Sequence, residues 1–225
     1  MKTSIEKTWV KTGMISGFLT MVIYPTMLFV SLPVQLTLVL ACSFGFLFMI
    51  ASIGLYKFIS LNRKTVSLQL GVLFNIIGCS VVTMMLTIQL ALFHLKQNSN
   101  IEITKEMKNY IFQFPNTIQL GLDVVWDIFL GVGTILFAFN MFGHPRLGKI
   151  LSISGILIAF ALLVLNIYSF PIPPAESGSI DLGPLTALWY LAVTIQIARS
   201  MKWVCESTEP FLMKGSEGEA RGLYH

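Results

Sequence analysis

TGMISGFLTMVIYPTMLFVSLPVQLTLVLACSFGFLFMIASIGLY, residues 12–56, contains no Asp, Glu, Lys or Arg. A bilayer's hydrocarbon core takes about 20 apolar residues per helix. The stretch is long enough for two such helices, with a short turn at Ser31-Leu32-Pro33 between them. Charge-free intervals recur further along the chain, from Lys64 to Lys96, Asp127 to Arg146, Lys149 to Glu176 and Asp181 to Arg199. The pattern predicts an all-α fold, a polytopic transmembrane helix bundle of six spans.

Composition points the same way. Of 225 residues, 55% are hydrophobic and 12% charged, with a mean hydropathy of +0.76. A soluble domain carries about 25% charged residues. One membrane domain is expected over residues 1–203, because the segments between spans are too short to build a second core. Cys42 and Cys79 fall inside spans and Cys205 follows the last one, so no disulfide framework is implied. The net charge of +4 is not gathered into a basic tract with interleaved aromatics, which argues against nucleic acid as a partner. The partner that composition implies is the lipid bilayer.

The spans are expected at about 13–32, 34–59, 66–93, 118–142, 149–170 and 182–203. Pro33 suits the opening of the second helix, where a missing N–H costs nothing. Of the 15 Lys and Arg, only Lys96, Lys105 and Lys108 would lie on one side; the other 12 fall on the opposite side. Cytoplasmic loops carry the excess of basic residues. Both termini are therefore expected in the cytoplasm and the protein in the cell's plasma membrane. The first apolar run exceeds a signal-peptide h-region and precedes no A-x-A-like site, so a cleavable signal is not expected.

Three segments outside the spans have character. In the longest outer loop Ile103, Met107, Tyr110, Ile111 and Phe114 recur at helical spacing, with Glu102, Lys105, Glu106 and Lys108 opposite. This predicts an amphipathic helix at about 101–114, lying on the outer surface or serving as a lid. Phe170-Pro171-Ile172-Pro173-Pro174 is stiff and extended. It leads to Asp181, placed to cap the sixth helix. Residues 204–225 form a polar, Gly-containing tail, expected to be cytoplasmic and disordered.

Polar side chains within the spans form stripes of four-residue spacing, which puts each set on one helix face. They are Thr12, Ser16, Thr20 and Tyr24 in the first helix, and Thr186, Tyr190 and Thr194 in the sixth. Small and hydroxyl-bearing residues so spaced are what helices use to meet in lipid. Asp123 and Asp127 in the fourth helix are a sharper signal, because intramembrane carboxylates are costly and prompt a functional hypothesis. They share a face about 6 Å apart along the axis, and Trp126 lies beside them. No Lys or Arg in any span sits at their depth, so the pair must be hydrated, bind a cation or hold a proton, titrating as a coupled pair. The plainer reading is an aqueous vestibule at the positive end of that helix. Asn166, Asp181 and Tyr190 are added as candidate ligand-binding residues on helices that bring polar groups towards the same level.

Enzyme signatures are lacking. His94, His144 and His225 would be divided between the two sides of the membrane, whereas metal and haem sites need His pairs at matched depth. No catalytic residues, cofactor or metal ligands are assigned, and the protein is expected not to be an enzyme.

Leu122-Asp123-Val124-Val125-Trp126-Asp127-Ile128-Phe129, His144-Pro145-Arg146, Phe170-Pro171-Ile172-Pro173-Pro174-Ala175, Asp181-Leu182-Gly183-Pro184 and Trp189-Tyr190 resemble a group of small bacterial six-helix integral membrane proteins of unknown function. The resemblance covers about Gly121 to Trp203 and implies an inner-membrane location but no activity. The leading expectation is a membrane protein that binds a proton, cation or small polar ligand in an outer-facing polar pocket, for transport or sensing. Two alternatives stand beside it: a structural or assembly subunit without a ligand, and an intramembrane enzyme using Asp123 and Asp127.

Overall fold

The computed structural model describes residues 2–98 and 105–208. These form α1 (Lys2–Phe29), α2 (Val34–Ser60), α3 (Val66–Asn98), α4 (Lys105–Met141), α5 (Gly148–Ser169), α6 (Gly183–Arg199) and the short α7 (Met201–Thr208). No strand occurs among the described residues. Within α2, α3, α4 and α5 lie four stretches long and apolar enough to cross a membrane: Val34–Ser60, Val66–Lys96, Tyr110–Met141 and Gly148–Ser169. An all-helical chain with four such helices fits an integral membrane protein.

Successive helices pack as antiparallel neighbours from α1 through α5, and α6 closes the bundle against α1 and α5. The outer surface is apolar, unlike that of a water-soluble domain, and polar side chains are buried within an otherwise apolar core. On α5, Leu157, Phe160 and Ile167 are more than half exposed, while Ser152 and Asn166 are fully buried. The other helices repeat this, with Phe18, Leu19 and Val22 outside α1 and Ser16 and Thr20 inside it. Such a surface is suited to hydrocarbon, and the interior satisfies polar groups that lipid cannot.

The α1 and α6 stripes meet each other. A side-chain carbon added to Gly17 would touch the Thr194 hydroxyl. The hydroxyls do not bridge the helices, however. Thr20 donates to the Ser16 carbonyl at 2.8 Å, Thr186 to Leu182 at 3.0 Å and Thr194 to Tyr190 at 2.8 Å, all within their own helices. The threonines of the stripes therefore act through small size, which allows close approach. Gly13 of α1 and Gly54 of α2 carry this furthest: a Cβ on either would collide with the Cα of the other.

Several boundaries differ from expectation. The amphipathic segment is not a separate helix: residues 105–114 are the first turns of the continuous α4, and residues 101–104 lie outside the described residues. Pro115, in the expected gap between residues 114 and 118, sits inside α4. Proline removes one backbone donor, and here that does not end the helix. Met107, Tyr110, Ile111 and Phe114 are all at least half exposed, so this extension does not tuck its apolar side against the bundle. Helix α6 ends at Arg199, where Ser200 (φ −97°, ψ 6°) interrupts the expected run before α7 begins. Within the expected tail, residues up to Thr208 are helical, and residues 209–225 lie outside the described residues.

Candidate functional site

Asp123, Trp126 and Asp127 occupy one stretch of α4 but diverge in what they face. Asp127 is only 6% exposed and turns toward α5, where Asn166 Nδ2 donates to its Oδ2 at 2.9 Å. The same amide nitrogen donates to the Leu162 carbonyl of its own helix at 3.0 Å. Asn166 is fully buried, and its Oδ1 has no hydrogen-bond partner. The charged neighbours acting on Asp127 are Asp123 and Asp181. A carboxylate so placed has one neutral amide donor and like-charged company.

Asp123 and Trp126 face the other way, into a cavity of about 530 Å³ between the α1–α2 hairpin and α3–α4. The cavity lies at the bundle end that carries the Ser31–Leu32 turn, and its wall includes Tyr24, Phe44, Gln89 and Phe93. Asp123 is the one charged side chain among its lining residues. Asp181 and Glu176, from the connection between α5 and α6, are charged neighbours of Asp123. Asp181 itself is exposed; its Oδ1 accepts the Gly183 N–H at 2.8 Å and so serves the first turn of α6, although Leu182 holds the N-cap position. Trp126 leaves its indole Nε1–H without a partner.

Tyr190 is not in this acidic group. Its hydroxyl donates to Asn75 Oδ1 on α3 at 2.9 Å and lies 2.8 Å from Thr134 Oγ1 on α4. A phenol has one proton to give, so Thr134 is the donor to Tyr190. Asn75 Nδ2 in turn donates to the Gly71 carbonyl at 3.1 Å. The result is a one-way chain of hydrogen bonds joining α4, α6 and α3. Gly133 makes room for it, since a Cβ there would collide with the Asn75 amide. Thr134 lies seven residues beyond Asp127, about 10 Å deeper along α4. The Tyr190 ring reaches back toward the acidic end, sharing a small cavity with Trp126, Tyr24 and Thr186.

The candidate residues thus separate into an Asp127–Asn166 pair, an Asp123–Trp126 cavity wall with Asp181 nearby, and a deeper Tyr190 network. Thr134, Asn75 and Tyr24 were not among the sequence candidates for this site. Thr134 continues the α4 face of Asp123 and Asp127, and that periodicity was its one sequence signal.

The opposite end of the bundle holds a buried histidine. His144, in the α4–α5 connection, is 3% exposed. Its ring lies 4.9 Å from that of Phe58 and 5.2 Å, edge-on, from that of Trp203. The Arg146 N–H donates to its Nδ1 at 3.2 Å, so a neutral ring carries its proton on Nε2. Nε2 has no hydrogen-bond partner of good geometry. Burial pushes the imidazole down to about 4 from its ordinary value, against a weaker raising influence of the Phe58 backbone.

Among the described residues, no group of three or more His, Cys, Asp or Glu is arranged to hold a metal ion. The chain matches no protein-family model, no curated protein and no solved structure.

Proposed function

We propose that the protein spans the plasma membrane six times, with both termini in the cytoplasm, and takes a cation or proton at its outward-facing acidic end for transport or sensing. The six-span reading adds α1 and α6 to the four long apolar helices; the outward faces of both are apolar, with Phe18 and Leu19 on α1 and Leu185 and Leu188 on α6 exposed. Cytoplasmic termini follow from the bias of basic residues toward the end that carries Arg63, Lys64, Arg146 and Lys149. The resemblance to small bacterial six-helix proteins supports an inner-membrane location and adds no activity.

The observation that carries the functional reading is Asp127. It is 6% exposed, has a neutral amide for its partner and has other carboxylates for charged neighbours. Charge in that position calls for a counter-ion or a proton. The reading is non-enzymatic, because the group beside the carboxylate is an amide rather than a nucleophile. The test is thermal unfolding of the purified protein against Na+, K+ and pH, for wild type and Asp127→Asn. A wild-type response that the variant loses supports the reading. No response to any of these in either form makes Asp127 a helix–helix contact and the protein a structural subunit.

A further inference from the structure

We infer that the cavity beside Asp123 accepts an organic monocation with an apolar body. The inference rests on the cation-binding reading of this bundle end and names the class of ligand. Its volume, about 530 Å³, is that of a small-molecule site rather than an ion-sized void. An inorganic cation needs a shell of several oxygen ligands. The wall offers one anionic oxygen donor, the Asp123 carboxylate, besides the Gln89 amide and the Tyr24, Ser31 and Thr37 hydroxyls, among mostly apolar side chains. A neutral lipid tail would fill the apolar part but leave the carboxylate in the wall without a counter-charge. An anion is opposed by Asp123 and by its neighbours Asp181 and Glu176.

A cation with aromatic or alkyl substituents meets every feature at once. Its charge lies against Asp123. Its body lies against Tyr24, Phe44 and Trp126, of which the Tyr24 and Phe44 rings are 5.8 Å apart. Tyrosine and tryptophan faces attract cations, more strongly where water is excluded.

Tetraphenylphosphonium and tetraphenylborate are matched probes, similar in shape and opposite in charge. Radiolabelled tetraphenylphosphonium should bind the full-length protein saturably in lipid nanodiscs, and radiolabelled tetraphenylborate, measured in a separate sample because the two ions precipitate each other, should not. Asp123→Asn should weaken binding by about tenfold or more, as expected for loss of a partly buried charge partner. Asp123→Glu, which keeps the charge, should retain it; this variant covers the case in which Asp123→Asn does not fold. Absence of saturable tetraphenylphosphonium binding, equally tight saturable binding of tetraphenylborate in its own sample, or full affinity in Asp123→Asn would overturn the inference. A protein that responds to Na+, K+ or pH through Asp127 but ignores tetraphenylphosphonium overturns this inference alone. Binding through Asp123 without any response dependent on Asp127 brings down the earlier reading alone.

Discussion

Asn166 holds the Asp127 carboxylate at 2.9 Å across the α4–α5 interface, and its own carbonyl oxygen is buried without a partner. One amide therefore serves two acceptors through its nitrogen while its oxygen points at nothing. The pair is a buried hydrogen-bonded contact between these helices, and its energetics are open to direct measurement.

Asn166→Leu should destabilise the protein by about 1.5–3 kcal/mol, since it strands a buried hydrogen-bonded carboxylate. Asp127→Leu combined with Asn166→Leu should cost less than the sum of the single changes, because neither then leaves the other uncompensated. A double-mutant cycle of equilibrium unfolding in mixed micelles measures this. Strict additivity would show that the two side chains do not interact.

Tyr190→Phe should cost about 0.6 kcal/mol. In water, leaving a buried acceptor unsatisfied costs about 1–3 kcal/mol. Hydrogen bonds between membrane helices average nearer 0.6 kcal/mol, because the unfolded chain in lipid also finds partners. The lower figure should govern. Thr134→Val should be strongly non-additive with Tyr190→Phe, as Thr134 donates to the hydroxyl that the second change removes.

Gly54→Ala should destabilise by about 1–3 kcal/mol, the usual cost of overpacking, because its methyl group meets the Gly13 backbone, which cannot swing aside. Gly121→Ala is the internal control. A Cβ at Gly121 has nothing within 4 Å, and alanine is favoured over glycine in a helix by about 0.5–1 kcal/mol. The two substitutions should therefore move the unfolding midpoint in opposite directions.

His144 should make stability depend on pH between about 4 and its ordinary value near 6.5. The folded protein keeps the ring neutral in that window, while the unfolded chain takes up a proton. Stability contributed by the neutral ring is complete above about 6.5. It falls as pH drops toward 4, where the folded form also protonates. The loss is at most about 3 kcal/mol at 1.36 kcal/mol per unit. His144→Phe, placed in the same aromatic surroundings, should flatten the unfolding midpoint over that range. An unchanged pH profile in the variant would assign the dependence to other groups.

The intervals without charge locate the long helices. Expected spans at 34–59, 66–93 and 149–170 meet helices at Val34–Ser60, Val66–Asn98 and Gly148–Ser169. This works because transfer of side chains into hydrocarbon is local and additive, and a helix is the form that satisfies its own backbone there. The expected gap between residues 114 and 118 is instead continuous helix, because the one donor missing at Pro115 does not oblige a helix to stop.

What each helix turns toward is settled only when the helices meet. By sequence alone Asp123 and Asp127 share one face. In the assembled bundle the small rotation between them sends Asp127 to Asn166 and Asp123 to the cavity. Tyr190 likewise belongs, by spacing, to a small-residue stripe on α6. Its partners Asn75 and Thr134 come from two other helices, and no local pattern connects residues so far apart in the chain. The amino-acid sequence by itself determined the helical class, the apolar stretches and the skew of basic residues, since those depend on what each segment is. Tertiary structure decided which polar groups pair, because helix rotation is set jointly by close approaches such as Gly13 on Gly54 and by hydrogen bonds that must close within the bundle.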